Sequence, residues 1–147
     1  MLLTADIGNT SITLGLFDNE ALIEDFRLAS DKDLSLEEYE VLLKSLFKNY
    51  DIKGCIISSV VEELNEKFTS AVYNVFKIKP LMLSAKVNTG IKINMPNLDE
   101  VGADRIANAA GAYVLYNHPV IVIDFGTATT FDIVNKEGEF VGGVIAP

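Results

Sequence analysis

The sequence has very few cysteine and histidine side chains, and each shortage excludes a class of site. Its single cysteine, Cys55, excludes an intramolecular disulfide and a zinc site built from several cysteines, which suits a reducing cytoplasm. Cys55 lies in the apolar segment 54–57, so we expect a buried structural thiol rather than a nucleophile. The single histidine, His118, precedes Pro119 and is expected to end a helix without a catalytic role.

The sequence also lacks a membrane-spanning run and an excess of positive charge. No apolar run reaches the roughly 18 to 20 residues that a span requires. The N-terminal residues 1–6 have no basic stretch and reach an acidic residue at once, unlike a signal peptide. A net charge of −9 argues against nucleic acid as the main partner. It does not exclude a nucleotide, because backbone donors and a metal ion hold such ligands locally.

The pattern of apolar residues predicts both strands and helices. Residues 2–18 read as two strands joined by the turn Gly8-Asn9-Thr10, and residues 21–28 as a third strand. Three meandering strands differ from the βαβ opening of a Rossmann domain. The capping box Ser35–Glu38 then predicts a helix that runs to about Tyr50. The later predictions are a strand at 52–61, a helix at 64–76, a strand at 80–83, a loop with a strand fragment at 87–98, a helix at 100–116, a strand at 120–123 and a hairpin of 130–135 with 140–145.

The chain contains an internal repeat whose two copies lie 118 positions apart. Asp6, Gly8, Asn9 and Ser11 of the first copy align with Asp124, Gly126, Thr127 and Thr129 of the second. An apolar strand precedes each copy and a hairpin-like strand follows it. Two such units predict an α/β protein of the ribonuclease H-like, actin-like ATPase fold, with duplicated mixed-sheet domains that carry helices on their faces. We expect a first domain at 1–117 and an incomplete second copy at 118–147.

The residues of the two turns suit a phosphate chain. A tight glycine turn lets backbone N–H groups approach phosphate oxygens, and the neighbouring hydroxyl and amide side chains add short donors. Asp6 and Asp124 end their strands and can hold a cation directly or through water. A single Asp-x-Gly turn also occurs in many hairpins for steric reasons, so the argument depends on there being two copies.

Four motifs, in order, resemble those of the type III pantothenate kinase family. They are Asp6-Ile7-Gly8-Asn9-Thr10, Val101-Gly102-Ala103-Asp104-Arg105, Asp124-Phe125-Gly126-Thr127-Ala128-Thr129-Thr130-Phe131-Asp132 and Gly142-Gly143-Val144-Ile145-Ala146-Pro147. The resemblance spans the chain, and the Gly-Ala-Asp-Arg motif separates this family from other members of its superfamily.

The resemblance implies a transferase that phosphorylates pantothenate with Mg-ATP, the first step of coenzyme A synthesis. It implies that Asp104 accepts the proton of the pantothenate hydroxyl and that Gly102, Ala103, Asp104 and Arg105 contact the substrate. It also implies a K⁺ or NH₄⁺ ion at Asp124, Mg-ATP near Asp6 through water, and a homodimer. The implied ATP-binding residues are Asp6, Ile7, Gly8, Asn9, Thr10, Ser11, Ile12, Thr13 and Thr127.

The residues alone leave other interpretations open. Asp104 could merely favour a helix N-terminus through its dipole, and Arg105 could pair with a surface acid rather than with a carboxylate ligand. The phosphate turns do not name an acceptor, so a kinase for another small molecule stays possible. A nucleotide-binding transcriptional accessory factor without catalysis is the alternative of a different class.

The sequence departs from the family's pattern in one motif and in length. Where many members have Tyr-Asp-Asn-Pro, this chain has Met95-Pro96-Asn97-Leu98, so an aromatic wall of the pantothenate pocket is replaced by methionine. The family continues well beyond the Gly-Gly-x-Ile-x-Pro motif. We therefore expect an N-terminal portion that can be inactive alone, with one face of the second sheet uncovered.

Overall fold

The structure, a computed structural model, describes residues 1–116 and 119–147. His118 lies outside these residues, and so does its expected place at a helix end. The contacts divide the chain into two compact units, Met1–Met82 and Leu83–Pro147. The expected domain boundary at residue 117 assigns the helix before it to the first domain. In the structure this helix packs on strands of the second unit and is grouped with them.

The first unit is a five-stranded mixed sheet with two helices. Its order is β3-β2-β1-β4-β5, in which β1, β2 and β3 are antiparallel neighbours while β4 and β5 continue parallel to β1. The elements are β1 (Leu2–Ile7), β2 (Ser11–Asp18), β3 (Ala21–Ala29), α1 (Leu36–Phe47), β4 (Gly54–Ser59), α2 (Glu62–Phe76) and β5 (Leu81–Met82). All seven match predicted elements, and α1 ends three residues before the predicted Tyr50.

The first unit is held together by one apolar core. The strands contribute alternate side chains such as Leu3, Ile12 and Leu14, each fully buried. Helix α1 starts with the predicted capping box, since the Ser35 hydroxyl accepts from the Glu38 N–H (3.2 Å) and the Glu38 carboxylate accepts from the Ser35 N–H (2.8 Å). Cys55 is buried in this core, as expected, and burial raises the pKa of its thiol to about 12.

The second unit is a four-stranded sheet with one helix. Its order is β6-β9-β8-β7, with β7, β8 and β9 antiparallel and β6 parallel to β9. The elements are β6 (Lys92–Ile93), α3 (Ala103–Tyr116), β7 (Val120–Phe125), β8 (Thr129–Val134) and β9 (Glu139–Ala146). Helix α3 begins three residues after the predicted Glu100, because a separate 3₁₀ turn at Leu98–Glu100 precedes it and Val101 is extended.

The meander β7-β8-β9 repeats the meander β1-β2-β3, which confirms the duplicated strand pattern. The turns differ in length, however. Asp6 pairs with Thr13 across the first hairpin, whereas Asp124 pairs with Thr130 across the second, so the second turn is one residue shorter. The alignment of Ser11 with Thr129 therefore fails in the structure, where Ile12 and Thr129 occupy equivalent places next to the turn.

One face of the second sheet is apolar and exposed, as expected. Alternation along paired strands puts its side chains on one side, opposite the face where Asp132 and Val134 are fully buried. The exposed side chains are Ile121, Ile123, Phe125, Phe131, Ile133 and Val144, with Phe125 the most exposed at 83%. Of the helices within 1–116 and 119–147, none combines the length and apolarity needed to cross a bilayer.

Candidate functional site

The first turn is held by hydrogen bonds from two distant serines. Asp6 is the penultimate residue of β1 and pairs with Ser58 on β4, whose hydroxyl donates to the Asp6 Oδ1 (2.9 Å). The Ser30 hydroxyl donates to the Gly8 carbonyl (2.5 Å), and the Ser30 N–H donates to the Thr10 carbonyl (3.1 Å). The turn itself closes through the Gly8 N–H and the Ser11 carbonyl at 3.0 Å. These bonds fix the backbone that a phosphate chain would meet.

Burial limits how the predicted ATP-binding residues can act. Asp6, Asn9, Thr10 and Thr13 are exposed, and Gly8 and Ser11 are half-buried. The side chains of Ile7 and Ile12 are fully buried in the apolar core. Those two isoleucines can therefore contribute only backbone atoms to a ligand.

The second turn is tied to helix α3. Asp124 is the penultimate residue of β7, and the Asn108 side-chain amide donates to its Oδ2 at 2.8 Å. The turn closes through the Gly126 N–H and the Ala128 carbonyl at 3.1 Å, and Thr127 at its tip is exposed. Asn108 was not predicted as a site residue, although its position four residues after Asp104 puts both side chains on one face of a helix.

The predicted substrate-binding residues lie at the start of α3. The Gly102 carbonyl accepts the N–H of Ile106 (3.2 Å), which closes the first turn of this helix. Asp104 is half-buried in that turn, and its Oδ1 accepts the N–H of Arg105 at 2.8 Å. Ala103 is 8% exposed, so its side chain is not available to a ligand.

Arg105 pairs with a buried acid and not with a surface acid. Its Nε donates to the Asp132 Oδ1 at 2.7 Å, its Nη2 lies 2.5 Å from the same oxygen, and Asp132 is fully buried. The Arg105 guanidinium also lies over the Phe140 ring, 5.6 Å from the centroid. The alternative in which Arg105 merely pairs with a surface acid does not hold, because alternation along β8 points Asp132 toward the α3 side of the sheet.

The second unit thus brings together Asp104, Arg105 and Asn108 on α3 with Asp124 on β7 and Asp132 on β8. The first turn belongs to the first unit. Within the described ranges 1–116 and 119–147, no three histidine, cysteine, aspartate or glutamate side chains are grouped to hold a metal ion. A cation at Asp124 or Asp6 therefore needs oxygen ligands from backbone, hydroxyl groups, water or the nucleotide.

Met95 replaces the aromatic residue of the family's pattern and is half-buried in the loop that follows β6. Its sulfur lies close to strand β9, 3.7 Å from the place that a Cβ on Gly142 would take. A thioether there supplies an apolar contact surface of adaptable shape.

Curated relatives match the whole chain. A type III pantothenate kinase of Citrifermentans bemidjiense is 45% identical over 152 residues, which cover 100% of this chain and 60% of the relative. Those of Roseiflexus sp. (strain RS-1) and Agathobacter rectalis are 44% and 42% identical, with 60% and 58% of their lengths covered. The chain thus spans about 60% of the length of the curated relatives it matches.

Solved structures show the same fold at low sequence identity. The type II variant of the Aquifex aeolicus Ppx/GppA phosphatase aligns with a TM-score of 0.58 and 17% identity, covering 99% of this chain and 51% of that one. A ROK family glucokinase of Streptomyces griseus, solved with glucose and AMPPNP, aligns with a TM-score of 0.55 and 19% identity over 98% of this chain and 47% of that one. The mixed sheets with helices therefore have the actin-like ATPase and sugar-kinase fold.

The family model described as type III pantothenate kinase matches residues 2–147. Its four motifs lie on the two glycine turns, on the start of α3 and on β9. This chain belongs to the type III pantothenate kinase family.

Proposed function

We propose that the protein containing this chain transfers the γ-phosphoryl group of ATP to the hydroxyl of pantothenate, which yields 4′-phosphopantothenate for coenzyme A synthesis. The observation that carries the proposal is the match of residues 2–147 to this family, with the Gly-Ala-Asp-Arg motif intact at the start of α3. The proposal includes a cytoplasmic homodimer, for which the family resemblance is the support.

Asp104 is proposed as the acceptor of the hydroxyl proton. As the hydroxyl oxygen forms its bond to the γ-phosphorus, the bond from that phosphorus to the leaving ADP oxygen breaks, and the proton passes to the Asp104 carboxylate. Asp104 is half-buried within the first turn of α3, so its carboxylate has limited freedom and retains access to a ligand. Arg105 is proposed to attract the pantothenate carboxylate, with Gly102 and Ala103 contributing backbone atoms.

The two glycine turns are proposed to bind the nucleotide. Residues 6–13 would hold ATP through backbone N–H groups and through exposed polar side chains, with Thr127 contacting it from the second turn. Asp6 would hold Mg²⁺ through water, and Asp124 would hold K⁺ or NH₄⁺. These cations would supply positive charge beside the phosphates, while Ser58 and Asn108 keep the two carboxylates in place.

Replacing Asp104 by asparagine in the complete gene product tests the catalytic role. ADP release should be measured with and without pantothenate and potassium, and ATP binding by titration. We expect kcat to fall by about 10²- to 10⁴-fold, since general base catalysis contributes that much, while ATP affinity changes less than about twofold. Unchanged turnover would exclude Asp104 as the proton acceptor.

Glu100→Gln is the matched control. It makes the same carboxylate-to-amide change four residues earlier, in the 3₁₀ turn outside α3, where Glu100 is exposed and bonded to Asn97. Its kcat should equal that of the parent protein. A parent protein that binds ATP and releases no ADP with pantothenate would refute the proposed acceptor and favour another acceptor or a non-catalytic role.

A further inference from the structure

Asp132 is a fully buried carboxylate that the proposed mechanism leaves unused. It lies on β8 and has no exposed surface, and a charged group in such a place requires an opposite charge and hydrogen bonds. Arg105 supplies both, since its Nε donates a hydrogen bond to the Asp132 Oδ1 at 2.7 Å and its charged Nη2 lies 2.5 Å from the same oxygen. The Thr130 hydroxyl lies 3.5 Å from the other oxygen, Oδ2.

The contacts engage one particular edge of the Arg105 guanidinium. A guanidinium has five N–H donors in a planar fork, and Asp132 uses the edge formed by Nε and Nη2. A second carboxylate can therefore approach the guanidinium only at Nη1, because Nε and Nη2 face Asp132 and Nη2 is buried. The Arg105 side chain keeps 14% exposure, and Nη2 is a buried donor with no well-aligned hydrogen bond.

Two further contacts restrict the same guanidinium. The centroid of the Phe140 ring lies 5.6 Å from its central carbon, so the ring packs against the guanidinium. Strand β9 approaches so closely at Gly143 that an added Cβ would lie 2.7 Å from the Asp132 Oδ1 and would overlap the Arg105 Nη2. The arginine is thus in contact with an anion along one edge, with an aromatic ring and with the backbone of a neighbouring strand.

We propose that Asp132 is a positioning residue that fixes the orientation in which Arg105 meets the carboxylate of the acceptor substrate. The inference rests on the proposed function, because it assumes that Arg105 binds that carboxylate. Asp132 acts through Arg105 and has no contact with substrate of its own. It sets a specificity rule: the acceptor must present its anionic group to the Nη1 group of Arg105.

The test is a kinetic series at position 132 in the complete gene product. Asp132→Ala removes the anchor, whereas Asp132→Asn keeps an oxygen that accepts from Nε and loses the charge. We expect KM for pantothenate to rise about tenfold in Asp132→Ala, the loss of about one charge-assisted hydrogen bond, and less in Asp132→Asn. KM for ATP should stay within about twofold in both, and kcat should change less than KM for pantothenate.

A double variant separates positioning from a general structural effect. If Asp132 acts through Arg105, then adding Asp132→Ala to Arg105→Met should leave KM for pantothenate at the value of Arg105→Met alone. Glu139→Ala is the matched control, since Glu139 is also a paired carboxylate of this sheet, bonded to Lys92 at 2.7 Å. Its KM for pantothenate should be unchanged.

A second measurement decides the question if Asp132→Ala does not fold. The chain contains two arginines, of which Arg27 is exposed and Arg105 is paired with Asp132. The Nε–H resonances of the isotopically labelled chain are therefore readily told apart. The Arg105 Nε–H should exchange with water much more slowly than that of Arg27, and Asp132→Asn should accelerate it. Equal exchange of the two arginines in the unsubstituted chain would overturn the inference.

The outcomes distinguish the inference from the proposed function. No pantothenate-dependent ADP release from the unsubstituted protein refutes the function. Activity in that protein, with a KM for pantothenate that is unchanged or lowered in Asp132→Ala, refutes only the positioning role. A KM effect that persists in the Arg105→Met background also refutes it.

Discussion

Replacing Gly143 by alanine should destabilise the second unit, because strand β9 passes directly beside the buried Arg105–Asp132 pair. A Cβ at this position would overlap the Phe131 carbonyl oxygen and the Arg105 Nη2, and would lie 2.7 Å from the Asp132 Oδ1. The carbonyl belongs to the neighbouring strand, and both charged groups are held by each other. None of the three contacted atoms can therefore move aside at little cost to make room for the methyl group.

The magnitude follows from the two ways in which the methyl group could be accommodated. A shift of β9 away from β8 costs about 1–3 kcal/mol, as overpacked cores do. Separation of the ion pair instead leaves a buried charge without a partner and costs about 3–5 kcal/mol. The cheaper route dominates, so we expect a loss of about 1–3 kcal/mol, a large part of the roughly 5–15 kcal/mol that stabilises a typical domain.

Urea unfolding followed by far-UV circular dichroism measures this loss. Gly111→Ala is the matched control, since it adds the same methyl group within α3 of the same unit, where nothing lies within 4 Å of the new atom. Alanine in place of a helical glycine should stabilise the protein by about 0.5–1 kcal/mol. If Gly143→Ala were as stable as Gly111→Ala, the close packing of β9 on the ion pair would be refuted.

Two further predictions concern the titratable side chains of Cys55 and Glu139. Cys55 is buried with a thiol pKa of about 12, so it should resist a thiol reagent at mildly alkaline pH in the folded chain and react at once in denaturant; rapid labelling of folded chain would contradict its burial. Hydrogen bonds from Lys92, Asn135 and Asn94 hold the pKa of the Glu139 carboxyl below its ordinary value, so its stabilising contribution is present above that ordinary pKa and is lost as pH falls through the folded pKa. Thermal midpoints measured against pH should therefore fall less steeply on acidification in Glu139→Gln than in the unsubstituted chain, and equal slopes would contradict this.

The sequence predicted the elements where local signals were strong. The β1-β2 hairpin was predicted from alternation around Gly8, and the start of α1 from the Ser35–Glu38 capping box, since both signals lie within a few residues. The start of α3 was predicted three residues too early. The Asn97 side chain accepts the N–H of Asp99 (3.3 Å) and starts a 3₁₀ turn, and periodicity of apolar residues does not report such a local bond.

The contacts that support the site were missed because the paired residues are distant in sequence. Ser58 reaches Asp6 only because β4 lies parallel to β1, and Asp132 reaches Arg105 only because α3 packs on β8. Nothing within a few positions of Ser58 or Asp132 indicates these contacts. The one-residue difference between the two turns was missed for a similar reason, since strand pairing and not spacing from the aspartate fixes the register.

Helix α3 explains how one short segment can carry the chemistry proposed for it. Asn108 connects the helix to the end of β7, and Arg105 connects it to β8, so two bonds to different strands oppose any rotation or sliding of its first turns. Asp104 directly precedes Arg105 in the first turn of α3, and its Oδ1 accepts the N–H of Arg105. The position of the proposed proton acceptor is therefore fixed by the bonds that Arg105 and Asn108 make to the two strands. Loss of either neighbouring bond should displace the Asp104 carboxylate, and even a small displacement of a reacting group costs rate steeply.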